Sequence, residues 1–197
     1  MTLAPWRQPL AHALHRNRSL AYSRYLQLAT VRPDGRPANR TVVFRGFLEN
    51  TDQLKFITDD RSEKVEQIPL QPWGEVCWYF PKTREQFRLL GQLTLVGKDH
   101  SDSQLLHARQ AQWRDLSDNA RLQFTWAHSG KPRADAAAFD SPPPDPQQPL
   151  PNFCLLLLTP TLVDHLELRG EPQNRYRYQR DKIPDQDETW SVQEVNP

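Results

Sequence analysis

The fold is decided by the stretch YLQLATVRPDGRPANRTVVFR, residues 25–45. It holds two β-patterned runs, 25–31 and 39–45, on either side of the turn sequence Arg-Pro-Asp-Gly-Arg-Pro. Aspartate followed by glycine between two such runs is a strong local signal for a tight turn, because glycine adopts positive φ without strain. The stretch therefore predicts an antiparallel β-hairpin.

The same β pattern returns along most of the chain, and helical spacing is confined to a few segments. Further strands are predicted at residues 54–58, 73–80, 86–96, 153–158, 162–168, 175–180 and 190–195. Helices are predicted within residues 1–24, after Asp60, and at 101–114 and 117–126. Short strands joined by turns are typical of an antiparallel barrel and do not suit alternating βαβ units. We therefore expect a mainly β fold with peripheral helices.

The helix that follows the strand at 54–58 has a recognisable start and stop. Asp60 and Glu63 have the three-residue spacing of a capping box, which satisfies free amides at a helix N-terminus. Val65 and Ile68 are expected to face inward, and Pro69 is expected to end the helix because it has no backbone N–H. Further along, residues 141–151 are a proline-rich surface loop.

Length and charge restrict the function classes. At 197 residues the chain is predicted to be one domain, 1–197, with decorated ends. A net charge of +1 gives no overall attraction to nucleic acid or to an anionic membrane, and no apolar run approaches the length of a membrane span. Cys77 and Cys154 lie in apolar runs, which fits buried thiols in a reducing compartment. We expect a cytoplasmic protein with a small-molecule substrate.

Missing motifs exclude several common sites. No G-x-G-x-x-G or G-x-x-x-x-G-K-[ST] loop occurs, so any phosphate must be held by side chains, strand amides or a helix start. The six histidines form no H-x-x-x-H pair, and no metal site is predicted. No G-x-S-x-G nucleophile motif is present, and no residue stands out as catalytic.

Two arginines flank the returning strand of the hairpin. Because side chains alternate along a strand, Arg40 and Arg45 point to opposite faces. They cannot both clamp one phosphate from a regular strand. A ligand lying along the strand would meet one arginine at each end, and a surface strand with two solvated arginines is the alternative.

A second set of polar residues surrounds the predicted helix start. Thr58 ends a strand, and the helix after it offers free amides and a positive dipole end, with Arg61 and Lys64 nearby. This arrangement suits a phosphate, and an ordinary capped helix with solvated basic residues is the alternative. Gln86 could hydrogen-bond a planar heterocycle, and Arg175 offers a third guanidinium; for either one, plain surface exposure is the alternative.

The order and spacing of these pieces resemble the pyridoxamine 5′-phosphate oxidase-like family of FMN proteins, from about Tyr25 to the C-terminus. The resemblance includes the hairpin LQLATVRPDGRP (26–37) and the strand NRTVVFRGF (39–47), which is similar to the family's Arg-x-Val-Leu-Leu-Lys. The ending NRYRYQR (174–180) with Trp190 is similar to the family's Asp-Arg-Phe-x-Tyr-x-Arg. The shorter runs FIT (56–58), SEK (62–64) and REQ (84–86) follow at the family's spacing.

The resemblance implies an FMN-binding split β-barrel of about six antiparallel core strands, and a homodimer with the flavin site at the subunit interface. Arg40 and Lys64 would hold the FMN phosphate, while the amides of residues 41–43 run along the flavin ring and Arg45 lies near its reactive part. Thr58 would face the phosphate or the ribityl chain. The implied cofactor-binding residues are Arg40, Thr41, Val42, Val43, Arg45, Thr58, Ser62, Lys64, Gln86 and Arg175.

Departures from the family pattern bear on the substrate. Glu63 replaces an arginine that the family often has beside Lys64, so Arg61 is expected to supply the missing charge. Glu171 and Gln173 stand where the true oxidases place an Arg and a His that hold the vitamin B6 phosphate and ring. A carboxylate there would repel a phosphorylated substrate.

These departures leave three hypotheses about function. We expect an FMN-dependent oxidoreductase with a substrate other than pyridoxamine phosphate. One alternative is a genuine pyridoxamine/pyridoxine 5′-phosphate oxidase in which other basic residues, such as Arg114 or Arg121, bind the substrate phosphate. The other alternative is a non-catalytic flavin or heme carrier or sensor.

Overall fold

The computed structural model describes residues 3–181 and 189–197. Its strands are β1 Tyr25–Val31, β2 Pro37–Val43, β3 Leu54–Asp59, β4 Trp73–Phe80, β5 Glu85–Val96, β6 Phe153–Glu167, β7 Asn174–Asp181 and β8 Thr189–Glu194. Its helices are α1 Arg7–Asn17, α2 Glu63–Leu70, α3 Ser103–Arg114 and α4 Asp118–Leu122, with a 3₁₀ turn at Ala136–Phe139. The described residues include no helix that is long and apolar enough to cross a membrane.

All the strand pairs are antiparallel, in the order β2-β1-β4-β5-β6-β7-β8, with β3 paired to β6. Strands β1 to β6 form the barrel, and β7 and β8 extend the sheet from the second half of β6. The sheet is not closed, because β2 and β3 are not paired as strands among the described residues. The chain just after β2 contacts β3, where the Arg45 amide donates to the Lys55 carbonyl at 2.9 Å. The predicted mainly β split barrel is therefore confirmed, with two strands beyond its six.

Strand β6 differs from its prediction, because the two strands predicted at 153–158 and 162–168 are one continuous 15-residue strand, Phe153–Glu167. Its pairing with β5 shifts register between Leu90 and Gly91, and Thr161 is the residue left without a register partner. Gly91 lies opposite Pro160, which has no amide to donate to the ladder. A β-bulge is the ordinary way for a strand to pass a proline, so one strand stands where two were predicted.

Helix α2 begins later than predicted, and the predicted capping box of Asp60 and Glu63 is wrong. Ser62 is the N-cap residue, and its side chain makes no capping hydrogen bond. The Arg61 amide donates to Asp59 Oδ1 at 2.9 Å, so the chain turns before the helix begins. Pro69 lies inside the last turn, one residue before the helix ends, and its missing N–H removes the hydrogen bond that a residue there would donate to the Val65 carbonyl.

The barrel core is rich in aromatic side chains, and α1 closes one end of it. Trp78 and Phe80 of β4 pack in the core with ring centroids 4.9 Å apart. Trp6, before α1, is fully buried in the same cluster. Asn17 at the end of α1 donates to Thr83 Oγ1 at 3.1 Å, which fixes the helix to the β4–β5 turn. A smaller cluster, Trp113, Leu116, Phe124 and Phe153, lies between the later helices and β6.

We predict that Gly91→Ala is strongly destabilising, because a Cβ at Gly91 would lie 2.1 Å from the Thr159 carbonyl oxygen. Relief requires movement of the β6 backbone, so the free energy of unfolding should fall by about 1–3 kcal/mol or more. Urea unfolding followed by circular dichroism measures the change. Gly97→Ala is the matched control on the same part of the chain, because its nearest contact would be Cys154 Sγ at 3.8 Å. Equal stability of the two variants would contradict the close packing at the bulge.

Candidate functional site

The first group of predicted site residues lies between β2 and α2, and Arg40 is its best-anchored member. Arg40 is the register partner of buried Leu28, which places it on the inner face of the sheet. Its Nη1 donates to Thr30 Oγ1 at 2.6 Å and to the Leu28 carbonyl at 3.3 Å. Its Nη2 donates to Gln67 Oε1 at 3.3 Å. The acceptors around this guanidinium are thus neutral oxygens.

Lys64 lies beside Arg40, in the first turn of α2. Its Nζ donates to Thr58 Oγ1 and to Ser62 Oγ, both at 3.0 Å, and these two hydroxyls are 3.0 Å apart. Burial and the nearby Arg40 lower the pKa of Lys64 to about 8, although two carboxylates nearby act in the opposite direction. The predicted residues Thr58, Ser62 and Lys64 therefore form one cluster, in which two hydroxyls surround an ammonium group whose charge is destabilised by burial.

This arrangement has the electrostatic character of an anion site. Burial, and then the charge of Arg32, lower the pKa of Arg40 as well. Two cations that are partly desolvated and bonded to neutral acceptors gain free energy when an anion arrives. The N-terminus of α2 adds a positive dipole end at the same place. The hydroxyls of Thr58 and Ser62 are suitable donors to phosphate oxygens.

Arg61, which was expected to supply a missing charge here, is engaged elsewhere. Its Nε and Nη2 donate to the two carboxylate oxygens of Asp59 at 2.8 and 2.6 Å. Its Nη1 donates to the Trp126 carbonyl at 3.0 Å. Burial alone would raise the pKa of Asp59, but hydrogen bonds from Arg61 and Asn152 hold it below its usual value. Arg61 therefore fixes the turn before α2, and the prediction of a role in charge supply is wrong.

The other end of the predicted flavin strand contains Arg45. Strand β2 ends at Val43, two residues earlier than predicted, and Arg45 follows it. The Arg45 Nε is buried and has no hydrogen-bond partner among the described residues. Burial, and then the charge of Arg24, lower its pKa. An unsatisfied buried donor on a cation is unusual, and a ligand acceptor would satisfy it.

Residues 41–43 lie along the edge of the sheet. Among the described residues, β2 has one ladder partner, β1, so alternate peptide groups of β2 point away from the sheet. Thr41 is exposed, and Val42 and Val43 are partly buried. The strand can therefore offer backbone donors and acceptors to the edge of a planar ring.

Gln86 and Arg175 form a second group on the outer face. Gln86 of β5 and Arg175 of β7 are both register partners of Leu166 in β6. The Arg175 guanidinium donates to Asp164 through Nε at 3.0 Å and Nη2 at 2.8 Å, and Arg88 donates to the same carboxylate at 2.9 Å. The hydrogen bond with Asp164 raises the pKa of Arg175. Arg175 is therefore a permanently charged group held in a fixed position.

One chain does not bring the two groups together. Strands β2 and β7 are five neighbour spacings apart in the sheet, which corresponds to roughly 24 Å along its surface. Arg40 lies on the inner face, whereas Gln86 and Arg175 lie on the outer face. The ten predicted residues are thus divided between an anion site with its adjoining strand and a separate pair.

Comparison with known proteins identifies the family to which this chain belongs. The family model described as pyridoxamine 5′-phosphate oxidase, FMN-binding domain, matches residues 3–97. The pyridoxine/pyridoxamine 5′-phosphate oxidase 2 of Arabidopsis thaliana is 38% identical over 196 residues, which cover 99% of this chain and 98% of the relative. The chain belongs to the pyridoxamine 5′-phosphate oxidase-like family.

Solved structures of similar proteins agree with this assignment. A pyridoxamine 5′-phosphate oxidase-related, FMN binding protein from Nostoc punctiforme is 64% identical, with a TM-score of 0.95 and full coverage of both chains. PhzG from Burkholderia lata, solved in complex with tetrahydrophenazine-1-carboxylic acid, has a TM-score of 0.75 over 98% of this chain and 90% of its own. At 20% identity PhzG supports the fold alone.

In this member of the pyridoxamine 5′-phosphate oxidase-like family, Glu171 and Gln173 line a cavity of about 400 Å³ between β6 and β7. Arg84 lies on the same cavity and supplies a positive charge there. Arg121, suggested above as a substitute phosphate ligand, is buried; it donates to the Leu116 carbonyl and pairs with Asp118. Arg84 therefore shares the cavity with Glu171, whereas Arg121 is engaged elsewhere.

Sequence reasoning missed two partners of Arg40 and one charged cluster. Thr30 and Gln67 hydrogen-bond each other at 2.6 Å as well as Arg40. Their signal was weak: a polar residue in alternation on β1, and a glutamine on the inward side of α2. The missed cluster contains Glu85, His165 and Glu167, which come from two strands that are far apart in the sequence. The prediction that the chain has no metal site stays a prediction.

We predict that Lys64→Met stabilises the flavin-free protein at neutral pH by about 1–2 kcal/mol, because it removes a partly desolvated charge next to Arg40. The folded pKa of Lys64, about 8, is below its usual 10.5. The free-energy cost of the buried charge to folding is therefore complete below pH 8, and it decreases as the pH rises toward 10.5. Unfolding by urea at several pH values between 7 and 9.5 measures the difference.

The control for this prediction is Lys98→Met, which removes an exposed lysine that pairs with exposed Asp99 and should change stability little. A Lys64→Met variant that is less stable than the parent at pH 7 would show that the lysine is structural. A stability difference that does not vary with pH would exclude the lowered pKa.

Proposed function

We propose that this chain is an FMN-binding homodimer that uses the flavin in an oxidoreductase reaction on a small molecule. The carrying observation is the pair Arg40 and Lys64, two partly desolvated cations bonded to neutral acceptors beside a helix N-terminus. Membership of a family named for an FMN-binding domain supports the identity of the anion as the FMN phosphate.

The residues on both sides of this pair suit the rest of the cofactor. Arg40 and Lys64 would bind the phosphate, with Thr58 and Ser62 as hydroxyl donors. The free edge of β2 at residues 41–43 would face the ring, and an extended run from residue 40 to 45 spans roughly 16 Å. Arg45 would place its unsatisfied Nε–H and its charge near the ring end. The bound flavin supplies the hydride chemistry.

The separation of Gln86 and Arg175 from the anion site supports a dimer. The anion site beside β2 and α2 lies on the inner face of the sheet, whereas Arg175 of the same subunit lies on the outer face of β7. In a two-fold dimer, each subunit would give its phosphate site to one flavin and its Gln86–Arg175 pair to the other. The exposed aromatic side chains on the same outer face, Tyr25, Trp73 and Tyr79, are suitable for burial in such an interface.

The phosphate assignment predicts a difference between FMN and riboflavin, which lacks the phosphate. Lys64→Met should weaken FMN binding by about tenfold or more, because it removes one charged hydrogen-bond donor, and should leave riboflavin binding nearly unchanged. FMN affinity of the parent should also fall above pH 8, where the free lysine loses its proton. Quenching of flavin fluorescence measures both effects, with Lys98→Met as the control. Equal weakening of both ligands would exclude the phosphate role.

The shared site predicts complementation between two defective variants. Lys64→Met is defective in the phosphate half, and Arg175→Met in the other half, so each homodimer should bind FMN poorly. After unfolding and refolding as a mixture, the heterodimer should contain one intact site, and about a quarter of the total sites should recover affinity. Size-exclusion chromatography with detection of flavin absorbance measures the number of FMN molecules bound per dimer. A monomeric protein, or a mixture without recovered binding, would contradict the shared site.

The substrate is proposed to be a small molecule other than pyridoxamine 5′-phosphate. Glu171 on the cavity between β6 and β7 supports this choice, since it brings a carboxylate to a place where a phosphate would need cations. A genuine oxidase is the second candidate, and the Arabidopsis relative over nearly the whole chain favours it. Hydrogen peroxide release from pyridoxamine 5′-phosphate at saturation distinguishes the two. Turnover by the parent that is lost in Arg84→Met would support the oxidase, with Arg84 as the phosphate ligand.

A further inference from the structure

Three metal-ligating side chains meet on the inner face of the barrel, at the end that α1 covers. Glu85 of β5 and Glu167 of β6 are direct register partners, and His165 is two residues before Glu167 on the same face. His165 Nε2 lies 2.9 Å from Glu85 Oε2 and 4.0 Å from Glu167 Oε1. The ligand atoms of the three residues all lie within 4.8 Å of one another.

The two carboxylates of this cluster would be stabilised by a cation between them. Two carboxylates directly opposite each other on neighbouring strands repel, and their shared face is largely sheltered from water. Glu85 Oε2 is hydrogen-bonded with His165 Nε2 at 2.9 Å, which holds this carboxylate inside the cluster. Asn174 donates to Glu167 Oε2 at 3.0 Å, which orients that carboxylate and leaves Oε1 toward His165.

His165 is held rigidly and is not satisfied. Its side chain is 2% exposed and stacks on Phe87 with centroids 4.0 Å apart and an interplanar angle of 11°. Its Nδ1 is buried and has no hydrogen-bond partner among the described residues. Packing therefore fixes the ring with Nε2 toward the two carboxylates, while Nδ1, on the other side of the ring, makes no hydrogen bond with the described residues.

The two carboxylates also border open space. A cavity of about 480 Å³ lies between α1 and the ends of β5 and β6, and both Glu85 and Glu167 line it. His12, Arg16 and Arg169 lie around the same cavity. It is large enough for waters or a small anion, and its basic rim would favour an anion.

We propose that Glu85, His165 and Glu167 bind a divalent transition-metal ion of the zinc type, with a fourth position open to the cavity. A tetrahedral site with bonds of about 2.0–2.2 Å needs ligand atoms roughly 3.4 Å apart, so the present distances require only small rotations of the two glutamates. Metal binding through Nε2 uses the tautomer that carries the ring proton on Nδ1, so that the Nε2 lone pair faces the metal ion. This site is on the inner face, away from Gln86 and Arg175 on the outer face.

Cobalt is the probe that tests the site, because its visible spectrum reports tetrahedral ligation. The full-length protein, without a histidine tag and treated with chelator, is titrated with Co²⁺ and then with Zn²⁺ as a competitor. We expect one equivalent to bind with visible ligand-field bands, and Zn²⁺ to displace it and raise the melting temperature. Glu167→Gln should weaken binding by about tenfold or more, and His165→Gln should abolish it.

Matched controls separate this cluster from other ligands. Glu75→Gln changes a glutamate on the neighbouring strand, and Cys77→Ser removes the partly exposed thiol; both should leave binding unchanged. Glu167 is 36% exposed, so its variant should fold even where His165→Gln does not. The proposal is overturned if Co²⁺ does not bind saturably, if Glu167→Gln binds as tightly as the parent, or if Cys77→Ser removes the spectrum. None of these readouts depends on flavin.

Discussion

The whole arrangement depends on the two edges of strand β6. One edge pairs with β5 along its length, and the other pairs first with β3 and then with β7. The first half of β6 positions β3, whose end leads directly into the turn of Asp59 and the start of α2. The second half positions β7 and Arg175. The continuity of this strand past Pro160 therefore sets the distance between the two groups of site residues.

Stability and binding are opposed at the start of α2. Stability alone would favour a carboxylate partner for Lys64. This chain gives such a partner to Arg61, which pairs with Asp59. The contrast between the two cations shows that acidic partners are available in this turn. Arg40 and Lys64 are hydrogen-bonded only to hydroxyl, carbonyl and amide oxygens among the described residues, which makes folding less favourable. A bound anion would offset this cost.

Local patterns predicted most of the fold. The strand at 25–31 was predicted to the residue, because alternation and an Asp-Gly turn act within a few positions. The errors arise where a distant residue takes part. Gly91 of β5 lets Pro160 remain inside a strand, and Asn152 donates at 2.8 Å to Asp59, the carboxylate that delays the start of α2. At the site, spacing alone identified Arg40, Thr58 and Lys64 as candidates, and the family resemblance added Ser62. The carboxylate partner of Arg175 and the cluster around His165 depend on cross-strand register, which one sequence does not reveal.

The pairing of β3 with β6 joins residues as far apart as Leu54 and Leu158. During synthesis, the β1–β2 hairpin can form as soon as it leaves the ribosome, whereas β6, which pairs with the whole length of β3, is made about a hundred residues after β3. Until then the apolar side chains of β3, including Leu54 and Phe56, must be shielded in some other way. The nascent chain therefore passes through a long period with an open sheet edge, in which a chaperone that covers extended apolar segments would raise the yield of folded protein.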